Sequence, residues 1–230
     1  RDHEGMHFGE AIEFLANRAR ISLPKTEFSS KDDLENQRKQ NIIQANEVAS
    51  RYFREQFLNS DGAAHAREYA LGRGLSVETL ETFQVGYAPP DWSQLVEHLQ
   101  SQRVPLEVAA QAHLIKAKQS GQGYFDLFRE RLMFPIHNKK GDVVAFGGRV
   151  LKDGTPIYLN SPETPVFHKS KILYGLNETA RYIRAEDRAI IVEGYMDLVS
   201  LYQAGVKPVV AIMGTALTEY HAHQLKNLTK

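Results

Sequence analysis

Apolar positions three and four apart mark out helices through the first half of this chain, and short β-branched runs take over in the second. Phe8, Ala11, Ile12, Leu15, Ala16 and Ala19 form one helical stripe, predicting a helix over 8–20 that the segment 21–24 ends. The polar stretch 25–40, with Ser29-Ser30 and a mixed charge run, reads as an exposed linker passing into a helix. From about 34 to 58, Ile42, Ala45, Ala49, Phe53 and Phe57 predict a long helix, broken at Gly62. A second helix over 63–71 stops at Gly72-Arg73-Gly74, and Ser76 caps a short one after it. Residues 83–88 read as a strand ending at Pro89-Pro90. Asp91 is placed to cap a helix over 92–102, and Pro105 to open another over 106–113. This half predicts helical packing around a small amount of sheet, with no recognisable catalytic chemistry of its own.

The character changes after Gly121-Gln122-Gly123. Runs at 131–136 and 142–146, joined by His137-Asn138-Lys139-Lys140-Gly141, predict a β-hairpin. A helix follows over 177–184. Ile190-Ile191-Val192 then reads as a strand buried on both faces, with Glu193 at its end and Gly194 allowing a sharp turn. A helix over 196–204 is closed by Gly205, a second apolar run covers 209–213, and Thr218 caps a final helix with Glu219 in its first turn. Strand, acid, helix, strand, Gly-Thr turn, helix is a βαβα element of a parallel sheet. Its carboxylate sits at the strand's C-terminal edge, where open α/β sheets place their ligands. The fold class expected is α+β / α/β: a mixed helical–sheet N-terminal subdomain followed by a partial parallel-sheet domain.

Composition narrows the function only slightly. The 230 residues are 42% apolar, with no run long enough to span a bilayer and no leader-like start, so a soluble globular protein is expected. The absence of cysteine excludes a disulfide framework or a thiolate metal site within the chain. Lys plus Arg and Asp plus Glu number 28 each, so evidence for nucleic acid has to be local. It is local between 129 and 152. There Arg129, Arg131, Lys139, Lys140, Arg149 and Lys152 face only Glu130 and Asp142, six cations less two acids, or +4. A solvated hairpin tip accounts for Lys139 and Lys140 but not for Arg149, which follows two glycines after an apolar strand; there a ligand could come close and meet the guanidinium bidentately. Taken alone, Arg73 reads as a helix-end cation, Lys169 and Lys171 as loop charges, and Glu193 as a solvated strand end.

The motifs change that weighting. Glu193-Gly194-Tyr195-Met196-Asp197 after one strand and Met213-Gly214-Thr215-Ala216-Leu217-Thr218 after the next resemble the Toprim fold of bacterial DnaG-type primases. Arg129-Glu130-Arg131-Leu132-Met133-Phe134-Pro135-Ile136, Phe146-Gly147-Gly148-Arg149, Tyr158-Leu159-Asn160-Ser161-Pro162-Glu163-Thr164 and Phe167-His168-Lys169 follow that family's polymerase-domain motifs in order. One departure is Ile157, where the family commonly carries Lys. The resemblance implies a zinc-binding-domain tail over 1–24, a linker over 25–35, a template-binding subdomain over 36–186 and the first half of a Toprim domain over 187–230.

It also implies DNA-templated synthesis of short RNA primers for replication by metal-dependent nucleotidyl transfer. Glu193 would serve as magnesium ligand or as a base near the metal, with Mn2+ as the alternative ion. Lys169 would lie beside the active site, with Arg73, Arg149 and Lys169 contacting DNA and Asp197, Gly194, Arg129 and Arg131 in support. Zn2+ would belong only to the upstream domain. The implied partners are a single-stranded DNA template, ribonucleoside triphosphates and a replicative helicase that binds a C-terminal region, at a cytoplasmic bacterial replication fork, with no membrane and a monomeric chain. The family's Asp-x-Asp would follow on a later strand, so the chain is expected to be a fragment, inactive alone. A non-catalytic DNA- or partner-binding module, and another Toprim enzyme such as a topoisomerase or nuclease, are the alternatives.

Overall fold

The computed structural model describes residues 28–119, 121–152 and 154–229. The chain divides into two units, 1–38 and 39–230. The expected helix over 8–20 lies outside the described residues. Helix α1 (Phe28–Asn59) has already begun in the first unit, so the stretch expected as linker is helical from Phe28. Glu35, Gln37, Arg38 and Lys39 are good helix formers, and a polar run of such residues need not be coil.

In the second unit α1 is followed by a 3₁₀ turn (Asp61–Ala63), α2 (Ala64–Gly72), α3 (Val77–Thr82), β1 (Gly86–Ala88), α4 (Gln94–Ser101) and α5 (Leu106–Gln111). Next come β2 (Ile115–Ala117), β3 (Tyr124–Asp126), β4 (Arg131–His137), β5 (Val143–Val150) and β6 (Tyr158–Asn160). The chain continues through α6 (Leu176–Glu186), β7 (Ile190–Val192), α7 (Tyr195–Gln203), β8 (Val209–Ala211) and α8 (Glu219–Lys226). The first sheet is antiparallel in the order β1-β4-β5-β6, and β2 pairs only with β3. β7 and β8 pair in parallel, Ile190 opposite Val209, with α7 as the crossover.

Some expected elements are shorter than their patterns. The strand expected over 83–88 survives only as β1, because Phe83 closes α3 and Gln84 turns the chain at φ 49°. Asp91 does not cap α4. Two of the free N–H groups in its first turn, of Leu95 and Val96, are met by the buried Asp126 carboxylate at 2.8 and 3.0 Å.

The antiparallel sheet is covered on both faces, so β4 is buried continuously from Arg131 to Ile136 rather than alternating. Met133 and Phe146 pack with Ala49 and Phe53 of α1 on one side. Leu132, Phe134 and Ile136 join Tyr195 and Val199 of α7 on the other, where the Phe134 and Tyr195 rings stack at 5.2 Å. Two glycines let these layers close. A Cβ on Gly86 would lie 2.7 Å from the Phe53 Cβ, and one on Gly147 would lie 2.2 Å from Tyr195 Cζ. Strand β7 departs from expectation: Ile190 and Val192 pack toward α7, but Ile191 on the opposite face is 38% exposed.

Candidate active site and nucleic-acid surface

Glu193 emerges, exposed, at the end of β7. Its neighbour Gly194 is the N-cap of α7 and donates its N–H to Asp197 Oδ2 at 3.1 Å. Asp197 is therefore engaged in shaping the turn that presents Glu193. Tyr195 points the other way, into the core, and its hydroxyl donates to Asn160 Oδ1 at 2.7 Å. The Asn160 amide in turn donates to the Met213 carbonyl at 3.1 Å. One side chain on β6 thus ties down the exits of both parallel strands.

Arg149 lies beside this bridge, through Tyr158, its partner across β6. It sits within β5 rather than after a strand, and the glycines before it make room for Tyr195 and for Phe128, Met133 and Arg131, not for a ligand. Its guanidinium donates to the Tyr69 hydroxyl and, at 2.9 Å, to that of Tyr158. Burial works against the cation, but the two tyrosine oxygens outweigh it and hold the pKa above that of an ordinary arginine. These bonds take two of the five N–H donors of a guanidinium, leaving capacity for a phosphate.

The turn carrying Lys169 is fixed by α8. Thr218 Oγ1 donates to the Ser170 carbonyl at 2.8 Å, Gln224 Nε2 to that of Lys171 at 2.5 Å, and His221 Nε2 meets that of Lys169 at 3.0 Å. Burial lowers the His221 pKa despite its backbone contacts at Lys169 and Ile172. The neutral ring suits its two contacts, since Nδ1 then accepts from Thr218 N at 3.4 Å. On the other side, Glu163 accepts from the Lys169 backbone at 3.2 Å and pairs with His168 at 2.9 Å. The Lys169 ammonium forms no ion pair among the described residues.

Arg73 is placed elsewhere. Its turn is clasped by Gln203, which accepts from Ser76 N and donates to Gly74 O, both at 2.6 Å. Gln203 ends the nine-residue α7 whose N-cap adjoins Glu193, so Arg73 stands about 13 Å of helix away from the acidic edge. Arg131 is buried and donates to the carbonyls of Gly148 and Pro156 at 3.0 Å, which makes it a strut of the sheet.

Arg129 belongs to a surface that the sequence pattern did not single out. Its guanidinium lies 3.8 Å from the centroid of Trp92 and 5.6 Å from that of Phe125, and it donates to the Asp126 carbonyl. Trp92, the chain's one tryptophan, is 61% exposed. A cation clamped against an open indole and a phenyl ring is the kind of platform on which single-stranded bases stack. A lone Trp after Pro89-Pro90 was the available signal, but its pattern read only as part of a helix.

The Glu193 carboxylate is a hard oxygen donor and fits one position around a magnesium ion, which keeps water and phosphate oxygens in its other positions. Among the described residues no group of three or more acidic or histidine side chains could by itself hold a metal. No helix among them is long and apolar enough to cross a membrane.

A parallel β7–α7–β8 unit with an acid at its edge, locked to an antiparallel sheet that offers cations, defines a Toprim-containing core, and residues 187–229 match the Toprim domain model. Residues 52–180 match the DNA primase catalytic core, N-terminal domain. The chain belongs to the DNA primase catalytic-core family. It is 40% identical to a DNA primase of Halalkalibacterium halodurans over 97% of its own length, while spanning only 37% of that relative. A solved structure of the DnaG primase catalytic domain bound to ssDNA matches at a TM-score of 0.79 and 38% identity, over 84% of this chain and 62% of that one. The zinc-binding and RNA polymerase domains of the Aquifex aeolicus primase match at 0.76 and 34%, over 99% and 53%.

Proposed function

We propose that the protein to which this chain belongs is a DNA primase, making short RNA primers on a single-stranded DNA template for replication. The observation that carries the reading is the Asn160 bridge, which holds the exposed Glu193 edge against the sheet bearing Arg149. Magnesium bound there would neutralise phosphate charge and activate the attacking oxygen. Glu193 would be its ligand, Asp197 would keep the turn in place, and Lys169 and Arg149 would meet phosphates. Trp92, Phe125 and Arg129 would stack template bases, and the exposed Arg73 would contact the strand's backbone farther along. Ribonucleoside triphosphates and a replicative helicase are the further partners this reading implies, at a cytoplasmic replication fork.

The test is primer synthesis by the full-length protein on single-stranded DNA with magnesium and ribonucleotides, with and without Glu193→Gln. Loss of synthesis by at least a hundredfold with DNA binding retained is expected. Synthesis at the unsubstituted rate would remove Glu193 from the mechanism. Binding of this chain to single-stranded DNA should also fall steeply with salt, because phosphate contacts release counterions.

A further inference from the structure

A separate cavity of about 330 Å3 opens where the β4–β5 hairpin tip meets the turn after Lys169 and helix α8. Its walls include Lys139, Lys140, Lys171, His137 and His168 and no carboxylate. In a chain with 28 acids and 28 bases that is a marked local excess of positive charge. Acids close by are engaged with neighbours: Glu178 lies 3.5 Å from His137, Glu163 lies 2.9 Å from His168, and Asp142 accepts from the Asn138 amide at 2.9 Å. The three lysine ammonium groups make no ion pair among the described residues. The lining thus presents cations with no carboxylate among them, which favours an anionic occupant.

The rest of the cavity is not a phosphate site. Val166, Ile172 and Leu176 give it an apolar floor, and the Tyr220 ring, 50% exposed, stands at its edge with Lys171 Nζ 5.9 Å from its centroid. Few polar groups converging over an apolar floor is the pattern of small-ligand sites. The walls are also rigid. Asn138 Oδ1 accepts from the backbone of Lys140 and Asp142 at 2.8 and 3.1 Å, fixing the hairpin tip, and Gln224 holds the Lys171 carbonyl.

We propose that this cavity binds a free nucleoside di- or triphosphate, its ring against Tyr220 and the apolar floor, its phosphates between Lys139, Lys140 and Lys171. The site is distinct from the Glu193 edge and does not rest on the catalytic reading. Lys169 is not among its walls, but Lys171 shares its turn, so an occupant would bear on the placement of Lys169.

The test is titration of this chain, without divalent metal, with ADP, adenosine, pyrophosphate and a short oligothymidylate, following the imidazole NMR signals of His137 and His168. ADP should move both signals, and adenosine and pyrophosphate should each bind at least tenfold more weakly than ADP. Lys139→Ala/Lys171→Ala should weaken ADP at least tenfold with an unchanged circular dichroism spectrum. Tyr220→Ala should weaken ADP and adenosine but not pyrophosphate, and Glu193→Gln should change nothing. An adjoining hollow of about 620 Å3 shares Lys139 and carries Arg181 and Arg184, which is the reason for the oligonucleotide arm. The proposal is overturned if millimolar ADP leaves both signals in place, if only the oligonucleotide moves them, if the lysine variant binds ADP as before, or if Glu193→Gln abolishes the response.

Discussion

Asn160→Ala removes a side chain that touches both strand exits, and its cost can be worked from two hydrogen bonds and one stranded hydroxyl. Two hydrogen bonds are lost, to Tyr195 Oη at 2.7 Å and to the Met213 carbonyl at 3.1 Å, each with a net value of about 1 kcal/mol. The Tyr195 hydroxyl, on a residue only 2% exposed, is then stranded in the core, which adds about 1–2 kcal/mol of unmet desolvation. The sum is about 3–4 kcal/mol, and for a domain of this size it should lower Tm by roughly 6–16 °C. Urea unfolding of the chain and of Tyr195→Phe, Asn160→Ala and the double variant measures it directly. Tyr195→Phe alone should cost less, since the ring keeps its stacking on Phe134 and the half-buried Asn160 can hydrate. Once Phe is in place only the Met213 bond remains to be lost, so Asn160→Ala should cost about 2–3 kcal/mol less than in the parent. A loss below about 1 kcal/mol for Asn160→Ala, or strict additivity, would refute the claim that this bridge sets the edge.

Gly147→Ala would place a Cβ 2.2 Å from Tyr195 Cζ, inside any tolerable contact; a loss at or above the usual 1–3 kcal/mol of overpacking is expected in urea unfolding, and a neutral result would show that the ring can swing aside. Glu130 is pushed up by burial but pulled further down by its bonds from Tyr87, His65 and Lys152, so its folded pKa lies below the normal carboxylate value. The stability it contributes is therefore present above the unfolded value of about 4.3 and lost as pH falls through the lower folded one. Glu130→Gln should flatten the acid limb of a stability–pH curve, and an unchanged slope would contradict the pairing. Trp92→Ala should weaken single-stranded DNA binding by about 1–3 kcal/mol, roughly 5- to 150-fold, if bases stack on it; an unchanged Kd in fluorescence anisotropy would remove the platform.

What the sequence showed best was chemistry that is contiguous along the chain. The apolar run, Glu193, Gly194 and the caps of the final helices are local signals, and each folded as its neighbours dictate, Thr218 and Ser76 as side-chain N-caps included. What it hid was long-range. The glycines before Arg149 looked like room for a ligand, but Gly147 faces a tyrosine some fifty positions away and Gly148 faces Phe128, Arg131 and Met133. Asp91 had a capping residue's position and lost the role to Asp126, some thirty-five residues on, because burial of that carboxylate demanded donors. Trp92 and Arg129 share no periodicity and meet only because β3 runs past the start of α4. Arg73 and Lys169 were both expected to contact DNA, and what the sequence did not show is that their turns are clasped by different helices, α7 for Arg73 and α8 for Lys169.

The stacking of Tyr195 on Phe134 has a consequence for dissecting this protein. The two family matches meet between 180 and 187, an inviting place to cut the gene. Yet Tyr195, Met196 and Val199 fill the same core as Leu132, Phe134 and Phe167, and Tyr174 pairs in both directions with Ala211 of β8. A piece ending at 186 would expose that aromatic surface to water, and a piece starting at 187 would have no floor to fold upon. The seam separates two family matches, while the packed core runs across it, so limited proteolysis should spare the seam.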